Sequence, residues 1–106
     1  MIKHIVLWSL KNPLDAASFK AQLDTCQALV PGMLQFEVAI RTPLLEANCD
    51  VVLYSIFSDT RALAAYQQHP HHQAISSALG ALRETRSVID YEITGDTHDT
   101  HDSKTF

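Results

Sequence analysis

A chain of 106 residues, 46% of them apolar and 19% charged, has the make-up of one folded domain and no room for a second. The net charge is −4 and the eight Lys and Arg residues are scattered, which argues against nucleic acid as a partner, because phosphate contacts need clustered basic residues. Gly32, Gly80 and Gly95 stand far apart, so there is no glycine-rich phosphate loop, and no apolar run approaches the roughly 20 residues of a membrane span.

The opening MIKHIVLWSL alternates like a strand and lacks the small-residue cleavage site of a signal peptide, so the expected location is the cytoplasm. The strand over 2–9 sends Ile2, His4, Val6 and Trp8 one way and Lys3, Ile5, Leu7 and Ser9 the other. Asn12-Pro13 breaks it. Asp15 then serves as N-cap or first-turn acid of a helix to about Leu29, with Phe19, Leu23, Cys26 and Val30 recurring at threes and fours. Pro31-Gly32 ends that helix. A second strand covers 33–41, with Leu34, Phe36, Val38 and Ile40 on one face. Thr42 to Cys49 is a loop leading to an antiparallel partner.

That partner, DVVLYSIF at 50–57, is apolar on both faces, Val51, Leu53 and Phe57 against Val52, Tyr54 and Ile56. A strand of this kind needs cover on both sides. Helices of the same chain cover one, and a second subunit is the expected cover of the other. A chain this short buries only about two thirds of its unfolded surface alone, so a partner copy would also stabilise it.

Asp59 or Thr60 caps a short helix through about Gln68, with Leu63 and Tyr66 three apart. A longer helix runs from Pro70 to about Arg83, burying Ile75, Ala78, Leu79 and Leu82. The last strand spans 86–93. Residues 94–106, TGDTHDTHDSKTF, are nearly without apolar side chains and read as a mobile tail after a domain at 1–93. Cys26 and Cys49 fit neither CxxC spacing nor a disulfide framework and read as reduced thiols, one in the core and one in a loop. The order β, α, β, β, broken α, β is ferredoxin-like. It gives an α+β fold, a four-stranded antiparallel sheet with helices on one face. Two such sheets, bare face to bare face, close into a dimeric α+β barrel.

Residues 66–75, YQQHPHHQAI, hold three histidines around a proline. Pro70 disfavours helix at His69 and suits the first position of the next helix. His71 and His72 both lie within about 60° of the direction of Ile75, so periodicity does not choose between them. Three readings are open: two or three histidines on a metal such as zinc or nickel; a helix corner with one satisfied histidine; or one histidine and Tyr66 lining a pocket, the imidazole exchanging a proton and the phenol polarising a carbonyl. His4, an ionisable group on an apolar strand face, needs a partner and favours the third. The tail offers a second metal candidate in His98 and His101 with flanking aspartates.

The set KHIVLW at 3–8, DVVLYSIFSDTRALAAY at 50–66, HPHH at 69–72 and VIDYEI at 88–93 resembles the stress-responsive α/β-barrel (Dabb) family over nearly the whole chain except the tail. Within the set, Y-x-x-H-P-x-H at 66–72 is the most specific piece. The resemblance implies a homodimeric barrel, a cavity between helices and sheet, and a small hydrophobic or aromatic organic ligand, with no cofactor and no metal. It extends distantly to a plant member, olivetolic acid cyclase, which closes a polyketide by aldol chemistry. Its Tyr and His correspond to Tyr66 and His72 as catalytic residues. By the same resemblance His4, Val6, Trp8, Phe19, Leu53, Ser55 and His69 bind substrate. Trp8 and Leu23 depart from the cyclase pocket, Trp8 by its bulk and Leu23 where the cyclase has an aromatic.

Overall fold

The structure, a computed structural model, describes residues 1–94. Strand β1 (Ile2–Leu10) leads through a short 3-10 turn to helix α1 (Ala16–Asp24). Then follow β2 (Met33–Ile40), β3 (Val51–Phe57), α2 (Thr60–Gln68), α3 (Pro70–Gly80) and β4 (Arg83–Glu92). The four strands form one antiparallel sheet in the order β2-β3-β1-β4. This is the ferredoxin-like arrangement that the element order predicts. The expected tail lies almost wholly in 95–106, outside the described residues. No described helix is long and apolar enough to cross a membrane.

The alternation of β1 and β3 holds residue by residue. Ile2, His4, Val6, Trp8 and Leu10 are buried beneath the helices, as are Val51, Leu53, Ser55 and Phe57. The opposite face has no helix over it. There Ile5 pairs with Tyr54 on one side and Ile89 on the other, and Leu7 pairs with Val52. Leu7, Ile89 and Tyr91 are 37%, 58% and 39% exposed, so a contiguous apolar surface is left open on one side of the sheet.

Four boundaries differ from the sequence reading. The first helix is capped one step earlier: Asn12 Oδ1 accepts from the Leu14 amide at 3.1 Å, while Asp15 caps nothing with its side chain. That helix also stops at Asp24 instead of Leu29, because the Thr25 hydroxyl bonds back to the Gln22 carbonyl at 2.6 Å and Ala28 turns to a φ of 61°. In β2 a bulge between Met33 and Gln35 throws Leu34 out to 56% exposure, off the face shared by Phe36 and Val38. Helix α3 ends at Gly80, leaving Ala78 exposed, and β4 begins three residues early at Arg83. The Leu82 carbonyl accepts from the Lys11 amide at 3.0 Å, so the chain joins the sheet as soon as the helix ends.

Gly32 is held by the α2 junction. Its φ is +88°, and a Cβ there would meet the Ser58 hydroxyl at 2.7 Å and the Ala62 methyl at 2.9 Å, so only glycine fits. Asp59 caps α2 by accepting from the Ala62 amide at 2.8 Å. These contacts fix the phase of α2 and aim Tyr66 at the sheet.

Candidate functional site

Between α3, α2 and the helix-covered face of the sheet lies a cavity of about 50 Å³. At roughly 10–15 Å³ for a single water, this is room for a few waters or a small organic fragment. Its wall takes His4, Val6 and Trp8 from β1, Leu23 from α1, Leu53 from β3 and Tyr66 from α2. Helix α3 adds His72, Ile75, Ser76, Leu79 and Gly80, and β4 adds Arg83 and Arg86. Ser76, Gly80 and Arg86 are exposed, which marks where the cavity meets solvent.

The choice between His71 and His72 is made by what each reaches. His71 Nε2 lies 2.7 Å from the Thr25 hydroxyl at the end of α1. His72, one residue on, lines the cavity with its ring 4.5 Å from that of Tyr66, centroid to centroid. His69 is the N-cap of α3, its Nδ1 accepting from the His71 amide at 3.1 Å. It is a helix cap and does not line the cavity. Phe19 and Ser55 also stand outside the lining. Phe19 packs edge-on behind Trp8 at 5.1 Å, and Ser55 donates to the His4 carbonyl at 3.0 Å. They hold lining residues in place from behind.

Tyr66 is fully buried among aromatic rings, Phe57 at 5.2 Å and Phe36 and His4 both at 6.4 Å. Its hydroxyl and Nδ1 of His72 are buried atoms without a hydrogen-bond partner among the described residues. Two orphaned polar atoms on one cavity are costly in a structural core. Burial raises the Tyr66 pKa far above the ordinary phenol value, and the neighbouring Cys26 thiol raises it further, so the hydroxyl stays protonated and is a donor. Burial lowers the His72 pKa, opposed by a backbone hydrogen bond with Gln67 and reinforced by His4, Arg86 and His69. His72 is therefore a neutral imidazole at pH 7, able to accept a proton.

The sequence reading missed the partner of His4. Nδ1 of His4 stands 2.5 Å from Oδ1 of Asp90, and the histidine is buried while the aspartate is half open to solvent. A carboxylate at Nδ1 keeps a proton there and leaves Nε2 as acceptor. The two residues face each other across the β1–β4 pairing, in which His4 lies opposite Asp90. Alternation put Asp90 on the face of Val88, but nothing local told which strand lay beside it. Arg83 and Arg86 were missed for the same reason. Among the described residues no group of three or more His, Cys, Asp or Glu is placed to hold a metal ion. His98 and His101 lie outside the described residues.

The depressed His72 pKa has a measurable sign. The unfolded chain binds a proton near pH 6.5 that the folded chain refuses, so this contribution to stability is complete above about pH 6.5. It is lost as pH falls from there through the lower folded value. Urea midpoints between pH 5 and 8 are expected to fall on acidification more steeply in the wild type than in His72→Gln. Parallel curves would show that His72 is not held neutral.

Residues 2–93 match the stress-responsive A/B barrel domain, Dabb. The chain belongs to the Dabb family. Solved structures agree with that membership. A dimeric ferredoxin-like protein of unknown function from Bacteroides fragilis is 29% identical, with a TM-score of 0.73 over 87% of this chain and 95% of that one. A Dabb family protein from Mesorhizobium loti, 24% identical, superposes with a TM-score of 0.72 over 89% of this chain and 97% of that one. SnoaB, a cofactor-independent oxygenase from Streptomyces nogalater, shares the fold at 16% identity and a TM-score of 0.71, covering 91% and 94% of the two chains. No curated protein matches the chain. Within the Dabb frame, the Y-x-x-H-P-x-H stretch lies at the α2–α3 junction and brings Tyr66 and His72 to one cavity.

Proposed function

We propose that this Dabb protein is a homodimer in which each cavity binds a small hydrophobic or aromatic organic molecule and moves a proton on it without a cofactor. The observation that carries the reading is the unpartnered pair, the Tyr66 hydroxyl and Nδ1 of His72, on one cavity wall. A carbonyl compound satisfies both. Its oxygen accepts from Tyr66, and its α-carbon faces the neutral imidazole of His72.

The step balances within those groups. His72 takes the proton from the α-carbon, and the electron pair of the broken C–H bond moves into the carbon–oxygen system. The Tyr66 hydroxyl bonds the resulting oxyanion in a site shielded from water. The enolate then takes a proton back at another carbon, an isomerisation, or attacks a second carbonyl of the same molecule, a cyclisation. His4, oriented by Asp90, can relay the proton.

Dimerisation is supported by the bare apolar face and by the dimeric Bacteroides relative. Native mass spectrometry of protein purified from its own source tests both parts. The expected result is a dimer carrying an organic mass that leaves on denaturation, with the mass absent from Gly80→Leu. That variant continues the stripe of His72, Ser76 and Gly80, and a Cβ at Gly80 meets nothing within 4 Å, so it fills the cavity mouth without strain. A dimer that stays bare even in millimolar acetophenone would overturn the binding reading.

A further inference from the structure

We infer that the cavity selects an anion, an apolar or aromatic carboxylate, with its body against Val6, Trp8 and Leu79 and its carboxylate between Arg83 and Arg86. The inference rests on the pocket reading above and names its ligand class. Its basis is the register of β4. Arg86 lies opposite Trp8 and Arg83 opposite Leu10, two residues apart on β1 but three apart on β4. The pairing shifts between Ser9 and Leu10 to allow this. A regular ladder would place Glu84 opposite Leu10, so a carboxylate would share a face with Arg86. The irregularity removes Glu84 from that position and puts a second guanidinium there.

In a chain of net charge −4 with eight basic residues, two of those eight line one small cavity. Neither is in an ion pair among the described residues, where the ion pairs are His4–Asp90 and Lys20–Asp24. Guanidinium groups offer the planar, paired donors that a carboxylate fits. The remaining walls are apolar apart from His4, Tyr66, His72 and Ser76. A ligand with a ring and a carboxylate therefore meets matching chemistry at both ends of the cavity, and a neutral ligand leaves both guanidinium groups to water.

The test compares phenylacetate with phenylacetamide, equal in shape and different in charge, by NMR titration of the full chain, following the His72 ring. The carboxylate is expected to bind about tenfold more tightly than the amide, as charge-assisted pairing with arginine implies. Arg83→Gln/Arg86→Gln, made at half-buried and exposed positions, is expected to erase that difference and leave amide binding unchanged. Equal affinities in the wild type, or a preference that survives in the double variant, would overturn the anion inference while leaving the pocket reading intact. Failure of both compounds to bind would overturn the two together.

Discussion

Tyr66→Phe is expected to stabilise the protein while disabling it. The hydroxyl is fully buried and has no hydrogen-bond partner among the described residues, so its removal relieves a desolvation cost of about 1 kcal/mol or more. The ring, with its contacts to Phe57 and His72, stays in place. The urea midpoint should therefore rise, and proton transfer on a carbonyl ligand should fall by roughly 10²-fold or more, the size of one lost oxyanion donor. Stability and function moving in opposite directions is the mark of a group kept for its chemistry. A lower midpoint in Tyr66→Phe would mean that the Cys26 thiol satisfies the hydroxyl and that no donor is held ready for a ligand.

Leu7→Lys combined with Ile89→Lys is expected to convert the dimer to monomers at micromolar concentration. Both side chains lie on the helix-free face, and both are more than a third exposed in a single subunit, so the change costs an isolated chain little. In a face-to-face dimer the two lysines of each copy would be buried against apolar side chains, at several kcal/mol per ion after relaxation. Light scattering should show a species near the chain mass of 11.8 kDa for the variant and twice that for the wild type. A variant that remains dimeric would place the interface elsewhere.

These expectations rest on features of unequal legibility. The two central strands could be read in full, because the alternation of His4, Val6 and Trp8, and of Val51, Leu53 and Phe57, is a local property of a pleated chain. Tyr66 was legible through its spacing from Leu63, and the start of α3 through Pro70. Helical geometry left His71 and His72 equivalent. The distinction lies in Thr25, 46 residues away from His71, and no local period carries that information. Asp90 stands 86 residues from His4, and Arg83 reaches the cavity through a register shift against β1. Both depend on long-range strand pairing, which periodicity does not encode. His69 was misplaced for a different reason. The resemblance suggested a substrate contact, whereas the helix that begins at Pro70 needs a cap for its free amides and takes the His69 ring for that purpose.

The central claim is that Tyr66 and His72 form an acid–base pair poised on a ligand cavity. Deuterium uptake into the methyl group of acetophenone, followed by proton NMR in heavy water at neutral pD, tests it most directly. The account predicts uptake faster than in buffer, reduced roughly 10²-fold or more in His72→Gln and in Tyr66→Phe, and blocked in Gly80→Leu. Uptake no faster than in buffer, or equal in the wild type and both single variants, would contradict it.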